Sequence, residues 1–185
     1  MGALPKPMDI ADFHAWEERQ ELRHEFDGVQ IFAMTGGTWA HTTIQSHLMY
    51  ALLRRLDGKP CRPRGSNMKI RTATSIRYSD AFVICTPVSA AATFVTEPVV
   101  IFEILSKSTA NTDIGAKKSE YQSIHSLQRY VILHQSHRAA DVLYRDAEAP
   151  EGWAYEDLFE EQGTLEMPEI GISIPLGEIY KDSIS

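Results

Sequence analysis

Cysteine and long apolar runs are scarce in this sequence. Only two of the 185 residues are cysteine, Cys61 and Cys85, and they lack C-x-x-C spacing. This predicts neither a disulfide framework nor a structural zinc site, and we expect two reduced thiols. No run of about 18 apolar residues occurs, and the N-terminal stretch has neither the basic nor the apolar part of a secretory signal. We therefore expect a cytoplasmic chain without a membrane-spanning segment.

An excess of positive charge is also absent. The formal net charge of -7 argues against a protein that coats nucleic acid through bulk electrostatics. The charge is unevenly distributed, however, because residues 54–77 carry eight Lys/Arg against one Asp, whereas residues 146–169 carry nine Asp/Glu and no Lys/Arg. The basic segment is either a solvated strand pair or a surface that faces phosphates, and both interpretations stay open.

The length and the hydrophobic content of 43% are enough for one core. We expect a single domain over 1–185, with 1–8 as a flexible tail. The patterns predict helices over 9–22, 41–58 and about 113–126, and strands over 29–34, 61–71, 77–86, 98–105, 128–135 and 138–146, with a further hairpin around 153–159. Central strands between helices indicate an α/β fold with a mixed sheet.

One charged residue interrupts the most apolar predicted strand, VVIFEIL. Strand alternation places Glu103 on one face with Val99, Ile101 and Leu105. A buried carboxylate costs several kcal/mol unless it is paired, hydrogen-bonded or bound to a metal. The sequence therefore predicts a partner for Glu103.

A second carboxylate and a lysine are candidates for one site with Glu103. Asp80 begins the preceding apolar strand, and two neighbouring carboxylates invite a cation such as Mg²⁺, which also accepts a backbone carbonyl such as that of Ile104. Ile114 and Tyr121 are expected to anchor the inward face of the predicted helix. Lys117 lies four residues before Tyr121, so it leans inward too, where a lysine can orient water or stabilise charge on a phosphate. Alternatively, Glu103 only pairs with Lys117, and Asp80 only caps a turn.

Three stretches resemble a known family: RHEFDGVQIFAMTGGTWAHTTI, RYSDAFVIC and FEILSKSTANTDIGAKKSEYQSIHSLQRYVILHQ. They closely resemble the Uma-two family of restriction-endonuclease-like proteins, and the likeness extends over about residues 13–135. The block S-T-x-x-x-D-x-G-x-K-x-x-x-Y, residues 108–121, is its most specific part. The resemblance implies a restriction-endonuclease-like fold of the PD-(D/E)xK nuclease superfamily, with additional C-terminal strands.

The resemblance also implies site residues. Carried over by motif, the two acids and the lysine are Asp80, Glu103 and Lys117, the residues that the physical argument selects. The usual lysine position, two residues after the second acid, is Leu105 here, so the lysine is relocated to the helix. Glu25 matches an acidic position that the superfamily often offers from its first helix as an outer metal ligand. Ser79 stands where the family has proline before the first acid.

Other candidates concern histidines and aromatic residues. His41 matches a family position before the second helix, where it either contacts phosphate or positions water, or else hydrogen-bonds the backbone at the helix start. The remaining histidines show no ligand spacing. Trp39 and Tyr121 are expected in the core rather than as platforms for stacked bases.

The sequence thus favours an endonuclease that hydrolyses phosphodiester bonds with Mg²⁺ or Mn²⁺. Asp80, Glu103, the Ile104 carbonyl and Glu25 are the predicted metal ligands, and Lys117 is the residue expected to align or activate water. Nucleic acid, with DNA as the expectation, is the predicted partner, and a homodimer is the default assembly. The alternative is a catalytically silent homodimeric or partner-binding module that keeps the fold.

Overall fold

The chain combines short helices with a mixed β-sheet. The computed structural model describes residues 8–34, 36–105, 112–160 and 163–183. The helices are α1 (Ile10–Glu17), α2 (Trp39–Leu56), α3 (Lys118–Gln122) and α4 (Leu176–Ile179), and a π-helical turn (Thr112–Lys117) runs directly into α3. The strands are β1 (His24–Phe26), β2 (Ile31–Ala33), β3 (Arg62–Gly65), β4 (Lys69–Arg71), β5 (Ile76–Arg77), β6 (Ala81–Ile84), β7 (Phe94–Val95), β8 (Pro98–Leu105), β9 (Arg129–His134), β10 (Ala139–Arg145), β11 (Trp153–Phe159), β12 (Thr164–Met167) and β13 (Ile172–Pro175).

The central sheet has six strands in the order β11-β10-β9-β8-β6-β3. Strands β8 and β9 run parallel, and the other neighbours are antiparallel. A second sheet has the order β2-β1-β5-β4-β7, and β12 pairs with β13. A parallel pair inside an otherwise antiparallel sheet, with helices on its faces, is the mixed α/β architecture that the sequence predicts. The fold-class prediction is confirmed.

Both faces of β8 are buried, and each face meets a different helix. Val100, Phe102 and Ile104 belong to the cluster that contains Ile44 and Leu48 of α2. Ile101, on the other face, belongs to the cluster around Tyr121 of α3 and Tyr130 of β9. Each fully buried aliphatic or aromatic side chain contributes about 1.5–3 kcal/mol of transfer free energy. Strand β8 is therefore held firmly, which fixes the backbone that carries Glu103.

Helix boundaries follow capping side chains. Asp9 caps α1, and its Oδ1 accepts a hydrogen bond of 2.8 Å from the backbone N–H of Asp12. Thr38 caps α2, because its Oγ1 accepts a hydrogen bond of 3.2 Å from the backbone N–H of His41. Helix α2 therefore begins two residues before its predicted start. Helix α1 ends at Glu17 rather than near residue 22, and β1, which was not predicted, follows it.

Four further predicted elements differ from the structure. The strand predicted over 77–86 divides into β5 and β6, which belong to different sheets. The strand predicted over 61–71 divides into β3 and β4, which belong to different sheets, because the chain turns between Gly65 and Met68. The helix predicted over 113–126 ends at Gln122 and begins as a π-helical turn. Residues 153–159 form one strand beside β10 rather than a hairpin, and the hairpin lies later, in β12 and β13.

The prediction of two reduced thiols is wrong. Cys61 and Cys85 form a disulfide. Strands β3 and β6 are antiparallel with Arg62 opposite Ile84, so the next positions outward on the two strands are the two cysteines. The sequence separation of 24 residues hides this neighbourhood. Among the described residues, none of the helices is both long and apolar enough to cross a membrane.

Candidate active site

Asp80 lies at one end of the β6–β8 ladder. Ala81 faces Phe102 across the antiparallel pair, so Asp80 and Glu103 come next in register. Asp80 Oδ2 accepts a hydrogen bond of 2.7 Å from the backbone N–H of Ile104. The Asp80 carboxylate therefore lies against the strand segment that carries Glu103, although the two residues are 23 positions apart in the sequence.

Helix α2 supplies the other contacts of Asp80. His41 Nε2 lies 3.1 Å from Asp80 Oδ1, and Gln45 Nε2 donates to the Asp80 backbone carbonyl at 2.9 Å. The side chains of His41 and Asp80 are 17% and 15% exposed, so this pair is within reach of a ligand from solvent. His41 thus contacts a carboxylate, which neither interpretation of the sequence had named.

The partners of Glu103 come from the segment that includes α3. Glu103 Oε1 accepts a hydrogen bond of 2.9 Å from the Tyr121 hydroxyl and lies 3.2 Å from Lys117 Nζ. Burial and the charge of Glu103 raise the pKa of Tyr121 well above its usual value, so this phenol remains a neutral donor. The side chain of Glu103 is only 4% exposed, and the predicted requirement for a partner is met.

Tyr121 is fully buried, as expected, whereas the expectation for Trp39 is wrong, because Trp39 is 83% exposed.

Glu25 holds Lys117 from the other side. Lys117 Nζ lies 3.2 Å from Glu25 Oε1, and that oxygen also accepts the backbone N–H of Tyr78 at 2.9 Å. Lys117 therefore lies between two buried carboxylates, those of Glu25 and Glu103. Glu25 is on strand β1, not on a helix as the resemblance implied. Ile114, expected as an inward anchor beside Lys117, lies outside the residues whose side chains the structure describes.

A buried arginine anchors Glu25. Arg77 is 1% exposed, and its Nη1 lies 3.3 Å from Glu25 Oε2. Its Nε and Nη2 donate to the two oxygens of Glu120, each at 2.7 Å. Burial alone would lower the pKa of Arg77, but the hydrogen bonds to Glu120 and the charges of Glu25 and Glu120 raise it. We call Glu25, Arg77, Glu103, Lys117 and Glu120 the buried network.

A second buried pair adjoins this network. Glu17 of α1 lies 2.5 Å from Lys69 Nζ and accepts from the Tyr78 hydroxyl at 2.8 Å. Burial would raise the pKa of Glu17, but the hydrogen bonds from Lys69 and Tyr78 lower it below its usual value. Tyr78 thus connects the two groups, because its backbone N–H binds Glu25 while its hydroxyl binds Glu17.

Sequence reasoning missed Arg77, Glu120 and Glu17. Arg77 counted as one more charge of the basic segment, and neither Glu120 nor Glu17 was assigned a role. One signal was available, since Arg77 stands between Ile76 and Tyr78 in an apolar strand, where a charge needs a buried partner. The identity of that partner depends on sheet topology, which the sequence pattern did not give.

The donor atoms at the end of the β6–β8 ladder suit a hard cation. Within the described ranges, the structure contains no group of three or more His, Cys, Asp or Glu side chains that could hold a metal ion. Mg²⁺ commonly needs only one or two carboxylates and completes its coordination with water and other oxygens. Asp80 and Glu103 offer carboxylate oxygens, and the Ile104 carbonyl belongs to the same segment. This oxygen-rich set fits Mg²⁺ or Mn²⁺ better than zinc, which favours nitrogen and sulfur.

Known proteins match this chain in sequence and in fold. Residues 10–177 match the model of the Uma2 family, described as "Putative restriction endonuclease". The "Uncharacterized protein slr1290" of Synechocystis sp. (strain PCC 6803) is 31% identical over 173 residues, which is 92% of this chain and 90% of that protein. A crystal structure from Anabaena variabilis, described as a putative nuclease belonging to DUF820, superposes with a TM-score of 0.77 at 16% identity, and covers 94% of this chain and 98% of its own. The last likeness concerns the fold.

Proposed function

Because the chain belongs to the Uma2 family of restriction-endonuclease-like proteins, we propose that it is a metal-dependent nuclease that hydrolyses phosphodiester bonds, with DNA as its substrate. The observation that carries this proposal is that Asp80 and Glu103 come next in register at the end of the β6–β8 ladder, with Lys117 beside Glu103. Asp80 Oδ2 binds the Ile104 N–H at 2.7 Å, and Glu103 Oε1 lies 3.2 Å from Lys117 Nζ. Carboxylates that hold a metal ion and an ammonium group beside them would supply the charges that such hydrolysis uses.

Asp80 and Glu103, with the Ile104 carbonyl, would hold Mg²⁺ or Mn²⁺. When bound, the ion supplies positive charge that polarises a phosphoryl oxygen and makes water a better nucleophile at neutral pH. His41 and Gln45 keep Asp80 against β8, since they contact its carboxylate and its carbonyl. The side chain of Asp80 is 15% exposed and that of Glu103 is 4% exposed, so Asp80 is the more accessible ligand.

Lys117 would orient the attacking water and stabilise charge on the phosphate. An ammonium group has three N–H donors, and here it lies 3.2 Å from both Glu25 and Glu103. Both oxygens of Glu25 have contacts within the protein, at Tyr78 N–H, Lys117 and Arg77. We therefore assign Glu25 the work of positioning Lys117 rather than the outer metal ligation that the resemblance implied.

A cleavage assay tests the proposal. Supercoiled plasmid and a labelled DNA duplex are incubated with the protein and Mg²⁺ or Mn²⁺, with and without chelator. We expect metal-dependent cleavage that Asp80→Asn and Lys117→Met each abolish. Asp141→Asn is the matched control, because Asp141 is a part-buried aspartate of the same sheet that contacts His134 at 3.0 Å. Cleavage that survives Asp80→Asn and chelation would contradict the proposal.

One observation favours the alternative, a catalytically silent homodimeric or partner-binding module. Glu103 has a hydrogen bond from Tyr121 and an ion pair with Lys117, which is how a purely structural carboxylate is stabilised. Such a module should show no rise in melting temperature with Mn²⁺ that depends on Asp80. A rise that Asp80→Asn removes excludes the silent module.

A further inference from the structure

Two adjoining grooves lead from Asp80 along the edge strand β3. The first, of about 510 Å³, is lined by Gln45, Arg64, Gly65 and Asn67, among other residues. It begins beside the candidate active site, because Gln45 binds the Asp80 carbonyl at 2.9 Å and Gly65 faces Ala81. The second groove, of about 520 Å³, continues past Arg62. Arg64 and Met68 line both grooves, so the two form one path.

The arginines on this path have no carboxylate partner among the described residues. Arg62 and Arg64 are exposed and alternate with buried Pro63, so both lie on the same face of β3, about 6.8 Å apart. Both donate to backbone carbonyls: Arg62 donates to Lys59 and, at 3.1 Å, to Cys61, and Arg64 donates to Pro63 at 2.8 Å. A guanidinium with five N–H donors retains most of them for a further anion after such a contact.

Four other cations of the basic segment are neutralised by carboxylates of the protein. Arg54 and Arg55 both pair with Glu178 of α4. Lys69 pairs with Glu17, and Arg77 with Glu120. The positive charge of this segment that remains available therefore includes the two arginines that border the grooves.

We propose that these two grooves hold the sugar-phosphate backbone of the nucleic-acid strand, which runs from Asp80 over Arg64 to Arg62. This inference rests on the proposed function. Charge complementarity selects the occupant, since phosphates are the anions that arginine pairs bind along an extended path. Met68 and Val95 in the second groove offer apolar surface to sugars and bases between the phosphates. Of the basic segment 54–77, strand β3 with Arg62 and Arg64 is thus the part that would face phosphates.

Salt-dependent binding tests the path. The affinity for a labelled DNA duplex is measured by fluorescence anisotropy at several salt concentrations, in chelator so that no cleavage occurs. Each lost phosphate contact reduces the slope of log K against log salt by about 0.9. We expect Arg64→Ala to lower this slope by the amount of about one phosphate contact, and the double variant with Arg62→Ala to lower it by about two. Arg64→Lys should retain most of the slope of the unaltered protein.

Arg138→Ala is the matched control. Arg138 pairs with Glu160 at 2.7 Å, at the end of the sheet order away from β3, and its loss changes the net charge by the same amount. We expect its slope to equal that of the unaltered protein. In addition, Ser46→Trp should obstruct the first groove and weaken binding, whereas Leu53→Trp, about two turns farther along α2, should not.

The outcomes separate the path from the function. Unchanged slopes in the Arg62 and Arg64 variants, in a protein that still cleaves DNA with Mg²⁺, overturn the path and leave the proposed function standing. A protein that neither binds nor cleaves DNA overturns both. A lower slope in Arg138→Ala equal to that in Arg64→Ala also overturns the path, because net charge alone then explains the effect.

Discussion

Replacing Arg77 by methionine tests whether the buried network holds this fold together. The guanidinium is 1% exposed and contacts Glu120 through two hydrogen bonds and Glu25 at 3.3 Å. Methionine has a similar length but no charge, so the buried Glu25 and the part-buried Glu120 would lose their shared cation. Removing one partner of a buried ion pair costs about 3–5 kcal/mol, because the remaining charge stays desolvated. We expect the free energy of unfolding, measured by urea denaturation, to fall by that amount.

A matched arginine near the surface provides the control. Arg55 makes the same two-pronged contact with Glu178, at 3.0 and 2.6 Å, but the two side chains are 20% and 28% exposed. Solvent-exposed pairs contribute about 0–1 kcal/mol, so Arg55→Met should cost much less than Arg77→Met. Arg77→Lys should recover only part of the lost unfolding free energy, since an ammonium group cannot make the bidentate hydrogen bonds of a guanidinium. Equal losses in the two methionine variants would refute the reasoning that burial decides the cost.

Three further sets of substitutions test other contacts of the protein. Glu103→Gln combined with Lys117→Met in a double-mutant cycle should show a coupling of about 0.5–3 kcal/mol by urea denaturation, and strictly additive losses would contradict their direct interaction. The folded-state pKa of Glu17 lies below its ordinary value of 4.5, so its carboxylate stabilises the fold above that pH and loses this effect as pH falls through the lowered pKa. In Glu17→Gln, the free energy of unfolding should therefore fall less steeply as the pH is lowered through this range. An unchanged pH dependence would contradict the lowered pKa of Glu17. Replacing Cys61 and Cys85 together by serine should lower the unfolding free energy by about 3 kcal/mol in non-reducing buffer, as expected for a closed loop of 24 residues. Equal unfolding free energies of the unaltered protein and the double variant in that buffer would contradict a formed disulfide.

The sequence predicted those features that depend on local periodicity. Alternation in β8 placed Glu103 on the face of Ile101, and helical spacing placed Lys117 beside Tyr121, where the hydrogen bond and the ion pair of Glu103 are found. Both inferences need only the chain direction and the side-chain period. The class of the fold follows from the order of such segments.

Features that depend on strand register were not predictable in this way. Cys61 and Cys85 meet because β3 lies antiparallel to β6, and Arg77 meets Glu25 and Glu120 because β1, β5 and the α3 segment converge. Long-range pairing is a property of the topology, and no local pattern encodes it. Trp39 was misplaced for a related reason, because an aromatic residue at a helix start is buried only if another element covers it.

A calorimetric titration with Mn²⁺ tests the central claim, that Asp80 and Glu103 form a metal site, most directly. We expect the unaltered protein to give a binding isotherm that Asp80→Asn and Glu103→Gln each remove and that Asp141→Asn retains. Removal by both substitutions follows if the ion needs carboxylate oxygens from both strands. Binding that persists unchanged in Asp80→Asn, or no binding to the unaltered protein at all, would contradict the claim.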